Sequence, residues 1–174
     1  MKHFIACLLI SIFSTHLMAE PTLPKGIIKV SPRPAPALSL ENLDGQTFTM
    51  ETKTAHWHFV HFWASWCGPC RREMPALQKL IRAIPKEKLK FYIVNTAESE
   101  DTVFSFIGSV APEIDTLLDR DGLTTELWQP RGLPSSYIVD PDGQIEYVVI
   151  GGQDWQKPEY QLFLNQLGVN NKAN

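Results

Sequence analysis

The run Trp57-His58-Phe59-Val60-His61-Phe62-Trp63-Ala64 is nearly unbroken in apolar and aromatic side chains. A strand that is apolar on both faces must be covered on both, so this segment reads as a central strand of a sheet sandwiched between other layers. Directly after it, Met74, Leu77, Leu80, Ile81 and Ile84 recur at helical spacing, which predicts a helix from about Pro69 to Ile84. Cys67-Gly68-Pro69-Cys70 lies at the joint between the two. A buried strand feeding straight into an amphipathic helix constrains the rest of the chain to an α/β arrangement.

The remaining elements extend that pattern. Leu89 to Asn95 reads as the next strand and Asp101 to Val110 as a helix whose apolar residues are Val103, Phe104, Phe106 and Ile107. Ile114 to Leu118 is a short strand, and the turn Asp119-Arg120-Asp121-Gly122 leads into a short helix through Leu127 and Trp128. Ser136 to Val139 and Ile145 to Ile150 flank Asp140-Pro141-Asp142-Gly143 as a hairpin, and a helix from Pro158 to Leu167 closes the order. Upstream, Ala37 to Thr49 alternates around the turn dipeptide Asp44-Gly45, which predicts another hairpin. Residues 20–37 hold five of the chain's 13 prolines and read as an extended tether or edge segment. Alternating units followed by a hairpin imply a mixed sheet with helices on both faces. One domain over 38–170 is the expectation for 174 residues.

With 44% hydrophobic and 20% charged residues the composition is that of a globular protein, and 16 basic against 19 acidic side chains give no basic field for nucleic acid. The first nineteen residues stand apart. Lys2 and His3 precede the apolar run Phe4 to Phe13, and Met18-Ala19 precedes Glu20, which reads as a secretory signal peptide cleaved after Ala19. The apolar stretch is about half the roughly twenty residues needed to cross a bilayer, so an uncleaved anchor is the weaker reading. Removing nineteen residues from 174 leaves 155, and of the cysteines Cys7, Cys67 and Cys70 it leaves one pair. An exported protein sits in an oxidising compartment, and a pair two residues apart closes too small a ring to brace a core. Redox chemistry explains the pair better.

The spacing itself carries that chemistry. The thiolate is the reactive form of cysteine, and a helix N-terminus supplies unpaired N–H groups and partial positive charge that favour it. Cys67 is therefore the expected nucleophile. Cys70, one turn on and less exposed, is placed to attack the mixed disulfide and release the partner reduced. Pro69 suits the first helical turn, Gly68 leaves room for a substrate backbone, and Pro75 is expected to bend the helix. Zinc would want four ligands, which the remaining residues do not offer, so no metal and no cofactor are expected. Of the histidines, His56 and His58 share one face of the strand and His61 points to the other. A Cu(I) carrier using Cys67, Cys70 and one histidine stays open.

The segment Val60 to Cys70 resembles the active-site strand and turn of thioredoxins. Arg71-Arg72-Glu73-Met74-Pro75 and Gly132-Leu133-Pro134-Ser135-Ser136-Tyr137-Ile138-Val139-Asp140 resemble the exported TlpA-like branch, which includes the reductases of cytochrome c maturation. The resemblance covers roughly Ala37 to Leu167. It implies a thioredoxin fold with an N-terminal hairpin and a strand-helix insertion at about 98–118. It also implies that Pro134 is the cis-proline that presents backbone groups to an extended substrate, against the alternative of an ordinary trans proline. Glu73 matches an acidic residue implied to tune the cysteines or move a proton; the alternative is a solvated first-turn glutamate. His61 stands where thioredoxins have a buried acid and this branch often has Asn, and reads as a neutral core histidine rather than a catalytic base. Trp63 and Trp66 are expected to pack around the site. The implied activity is reduction of disulfides in exported client proteins, apocytochrome c being the branch's example, with a membrane electron donor restoring the dithiol and a monomer as the default state. An oxidant or isomerase of the same fold and a peroxidase are the competing enzymatic readings.

Overall fold

The computed structural model describes residues 23–167. The signal peptide expected over 1–19, Cys7 within it, and residues 168–170 lie outside the described residues. In chain order the elements are β1 (Ile27–Pro34), β2 (Ser39–Asn42), β3 (Thr47–Thr49), β4 (Trp57–Trp63), α1 (Gly68–Ala83), β5 (Leu89–Thr96), α2 (Glu100–Val110), β6 (Thr116–Asp119), α3 (Leu123–Trp128), β7 (Ser135–Val139), β8 (Gln144–Ile150) and α4 (Pro158–Gln166). The strands form one mixed sheet in the order β1-β8-β7-β4-β5-β6-β2-β3.

All seven residues of β4 are buried, and the strand lies at the centre, parallel to β5 and antiparallel to β7. Its alternation divides the core. Phe59 and Trp63 point into a cluster with Cys70, Met74 and Leu77 of α1, Val103 and Ile107 of α2, and Phe163 and Leu164 of α4. Val60 and Phe62 point the other way, into a cluster with Leu38, Tyr92, Leu117, Trp128 and Tyr137. Two successive crossovers of the same hand, β4-α1-β5 and β5-α2-β6, put α1 and α2 on one face, while Trp128 of α3 belongs to the opposite one. Within that second cluster the polar tips are satisfied locally: Trp128 Nε1 donates to Ala37 O and the Tyr137 hydroxyl to Trp128 O. This is the thioredoxin fold with helices on both faces, and it carries both additions, the β2–β3 hairpin pairing onto β6 and the α2–β6 unit.

Of the two readings of the proline-rich span, the edge segment holds from Ile27 onward: Ile27–Pro34 pairs antiparallel with β8 as an edge strand, which corrects the expected tether over 20–37 and the domain start at 38. An edge strand tolerates proline, since one side of it needs no ladder N–H. Pro32 falls in the register shift between Lys29 and Arg33.

Candidate functional site

The end of β4 delivers the chain to Cys67, which is the N-cap of α1, with Pro69 in the first helical turn. Cys67 and Cys70 are joined as a disulfide with Cα atoms 5.2 Å apart, and the Cys70 N–H donates to Cys67 Sγ at 3.2 Å. The sulfur of Cys67 thus sits where the helix presents its free N–H groups and no acidic residue occupies the first turn. Both cysteines are buried, and of the two Cys67, at 5% exposed against 0% for Cys70, is the more accessible.

Two carboxylates hold the surroundings of this joint, from opposite sides. Glu98 binds the turn before Cys67: its Oε2 accepts from Ser65 N–H and Asn95 Nδ2, each at 2.7 Å, and its Oε1 accepts from the Ser65 hydroxyl. Arg71 donates to Ser65 O and stacks over the Phe106 ring. Glu73 lies on the buried face of α1, one turn beyond Cys70, and is 4% exposed. Its Oε2 accepts from Gln153 N–H and Trp155 Nε1, both at 2.9 Å, and its Oε1 lies 3.3 Å from His61 Nε2. The other ring nitrogen of His61 is 2.8 Å from Ser136 Oγ. Glu73 is therefore not the solvated helix residue of the alternative reading, and His61 does not sit alone in an apolar core.

The peptide bond Leu133-Pro134 is cis. Pairing of Phe62 with Ser135 sets Pro134 at the same end of the sheet as the dithiol. Pro134 O accepts from Gly151 N–H, and the next residue, Gly152, abuts Pro69: a Cβ there would lie 3.2 Å from the Pro69 Cβ and 3.4 Å from its carbonyl oxygen. A side chain at 152 would crowd Pro69, so glycine suits the close approach of the β8–α4 loop to the dithiol turn. Between that loop and α1 runs an open cleft of about 470 Å³ lined by Pro69, Arg72, Glu73, Gln153 and Asp154 among others.

Trp63 is fully buried against Phe106 and donates to Thr116 Oγ1, as a supporting residue should. Trp66 departs from expectation: it is 68% exposed and stands on the surface beside Cys67. The residues not foreseen are Glu98, Gly152, Gln153 and Trp155. The alternation of β4 already put His61 on the face of Phe59 and Trp63, and Glu73 shares a helix face with Cys70 by its spacing of three. Those two signals together could have paired them. On the opposite face, burial pushes the His58 imidazole down from 6.5 to about 4, helped by the positive charges of Lys90 and His56. Among the described residues no group of three or more His, Cys, Asp or Glu side chains is placed to hold a metal ion, and no helix is long and apolar enough to cross a membrane.

Comparison with known proteins agrees with this geometry. The AhpC/TSA family model matches residues 32–148. The thioredoxin-like protein YneN of Bacillus subtilis is 31% identical over 134 residues, 75% of this chain and 78% of that protein. The thiol-disulfide oxidoreductase ResA of Bacillus subtilis is 26% identical over 117 residues, which are 67% of this chain and 65% of ResA. A crystal structure described as a thiol:disulfide interchange protein DsbE from Chlorobium tepidum superposes with a TM-score of 0.65 at 26% identity, covering 86% of this chain and 98% of that one.

Proposed function

The chain belongs to the AhpC/TSA family as a TlpA-like thiol-disulfide oxidoreductase of thioredoxin fold, and from that premise we propose that it is an exported reductant of protein disulfides. The observation that carries the reading is the position of the dithiol: Cys67 at the helix N-cap with the more accessible sulfur, Cys70 wholly enclosed one turn later. In this reading Cys67 attacks a client disulfide as the thiolate, and Cys70 then attacks the Cys67 sulfur and releases the client reduced. Pro134 presents its neighbouring backbone to the extended client segment, and the exposed Trp66 ring offers apolar contact area beside the reacting sulfur. Glu73 serves the exchange from below, where its burial beside Cys70 suits proton transfer more than solvent contact.

Export rests on the N-terminal sequence Lys2 to Ala19. A compartment that oxidises thiols makes a reductant dependent on an external supply of electrons, so a membrane-held dithiol donor is the partner the reading requires. Disulfide-bearing exported proteins are the clients, apocytochrome c among them by branch resemblance. The test is capture: Cys70→Ser leaves Cys67 without its resolving partner and is expected to accumulate mixed disulfides with clients, which mass spectrometry identifies. Capture by Cys67→Ser with none by Cys70→Ser would reverse the two roles.

A further inference from the structure

On the α3 face of the sheet the covering layer ends before the β1 edge. Antiparallel register puts Ile28, Val148 and Tyr137 in one row across β1, β8 and β7, with Ile150 and Ser135 opposed in the next row on the same face. Tyr137 fixes which face this is, because it is buried against Trp128 of α3. Outward from Tyr137 the rows run into solvent: Val148 is half-buried, Ile28 is 48% exposed and Ile150 40%. Together with Val30 they form the aliphatic part of an open groove of about 250 Å³.

Two arginines complete its walls. Arg33 comes from β1 and Arg131 from the loop before Pro134, and both are exposed. Burial raises the Tyr137 phenol above its usual value and the positive charges of Arg131 and Arg33 oppose that rise, so both cations lie within reach of one hydroxyl. Neither guanidinium has an ion-pair partner among the described residues, whereas Arg82 is bridged to Glu113 and Arg120 to Glu41 and Glu100. Among the described residues no carboxylate lines the groove, in a chain whose acidic residues outnumber its basic ones by 19 to 16. The complement of an apolar groove with two unpaired cations is a ligand that is apolar and anionic together.

The groove also adjoins the dithiol site. Ser135, on its wall, directly follows Pro134, and the N–H of Gly151, next to Ile150, donates to Pro134 O. An extended chain laid across Pro134, at about 3.3 Å per residue, enters the groove within a few residues of the sulfur it brings to Cys67.

We propose that this groove is a docking site for the client segment flanking the reactive cysteine, and that it selects segments combining acidic with apolar side chains. The proposal rests on the thiol-exchange reading of Cys67. The apolar side chains of the client cover Ile28, Val148 and Ile150, and its carboxylates pair with Arg33 and Arg131.

Peptides carrying one cysteine in disulfide linkage with a coloured aromatic thiol test this. When the reduced protein attacks, the Cys67 sulfur bonds to the peptide sulfur and the coloured thiolate leaves, so its release reports the rate of capture. With Leu-Glu-Leu-Glu on both sides of the cysteine, the second-order rate constant is expected to exceed that for Leu-Lys-Leu-Lys at least about tenfold at low salt, and the gap to close as salt screens the charges. Arg33→Glu combined with Arg131→Glu is expected to reverse the order, so that the lysine peptide reacts faster; a damaged fold would slow both peptides and reverse nothing. If that double variant does not fold, Arg33→Gln and Arg131→Gln are each expected to reduce the acidic preference about threefold. Equal rates for the two peptides on the native protein, or an acidic preference that persists when the arginines are changed, overturns the proposal. So does a dimer in sedimentation that the double change dissolves, which gives the groove to a second copy of the chain. Failure of the native protein to release the thiolate from either peptide, or release undiminished in Cys67→Ser, is instead a failure of the thiol-exchange reading.

Discussion

Two histidines on one buried strand meet opposite fates. His58 and His61 are both enclosed in β4, three residues apart, and point to opposite faces of the sheet. His58 is 3.2 Å from Thr54 Oγ1, beside Tyr92, with the charges of Lys90 and His56 nearby; everything around it disfavours a second proton. His61 faces a carboxylate on the helix that carries the dithiol. The difference shows that burial alone does not define a histidine's role: the sign of the charge across from it, and what that charge adjoins, do.

The largest expected effect comes from removing the carboxylate. Glu73→Ala leaves Trp155 Nε1, Gln153 N–H and His61 Nε2 without their carboxylate and should cost about 3 kcal/mol in urea unfolding. A loss under about 1 kcal/mol would mean that the Glu73 contacts carry little and that the two faces differ less than described.

A smaller effect is expected at His58. Its folded value of about 4 lies below the unfolded 6.5, so the unfolded chain takes up the proton first. The stability that this histidine contributes is therefore complete above pH 6.5 and lost as pH falls toward 4, by about 2 kcal/mol once solvent screening is allowed for. His58→Phe should flatten this acid limb and leave disulfide reduction unchanged, checked by urea midpoints across that range. An acid limb as steep as the native one would show that His58 is not its source. The smallest effect is that of Lys90→Gln, which removes one of the two positive neighbours and should raise the His58 titration by a fraction of a pH unit in an NMR titration, with the His61 signals unmoved.

What could be read from the sequence follows the same division. The strand, the dithiol and its helix are contiguous, so periodicity and spacing alone place Cys67 at a helix N-terminus, and the observed α1 from Gly68 to Ala83 differs from the expected Pro69 to Ile84 by a single residue at each end. The His61–Glu73 contact forms only when α1 crosses back over β4, and its anchors Gln153 and Trp155 arrive from a loop some eighty positions later. Strand alternation and helix spacing put His61 and Glu73 on facing surfaces, but no local pattern encodes the approach of Gln153 and Trp155. Edge strand β1 is only half legible: five prolines in a short span signal an extended tether or edge segment, and they do not say which, because they do not show whether one side of it is paired. Trp66, expected to pack around the site with Trp63, stands in solvent instead: the turn between them sends the first ring inward and the second outward.

The central claim, that the dithiol donates electrons, is tested most directly by the reduction potential of the Cys67–Cys70 couple, measured by equilibration with glutathione. The account predicts a value well on the reducing side, about −200 mV or lower, whereas one near the roughly −120 mV of the strongest oxidants of this fold would contradict it.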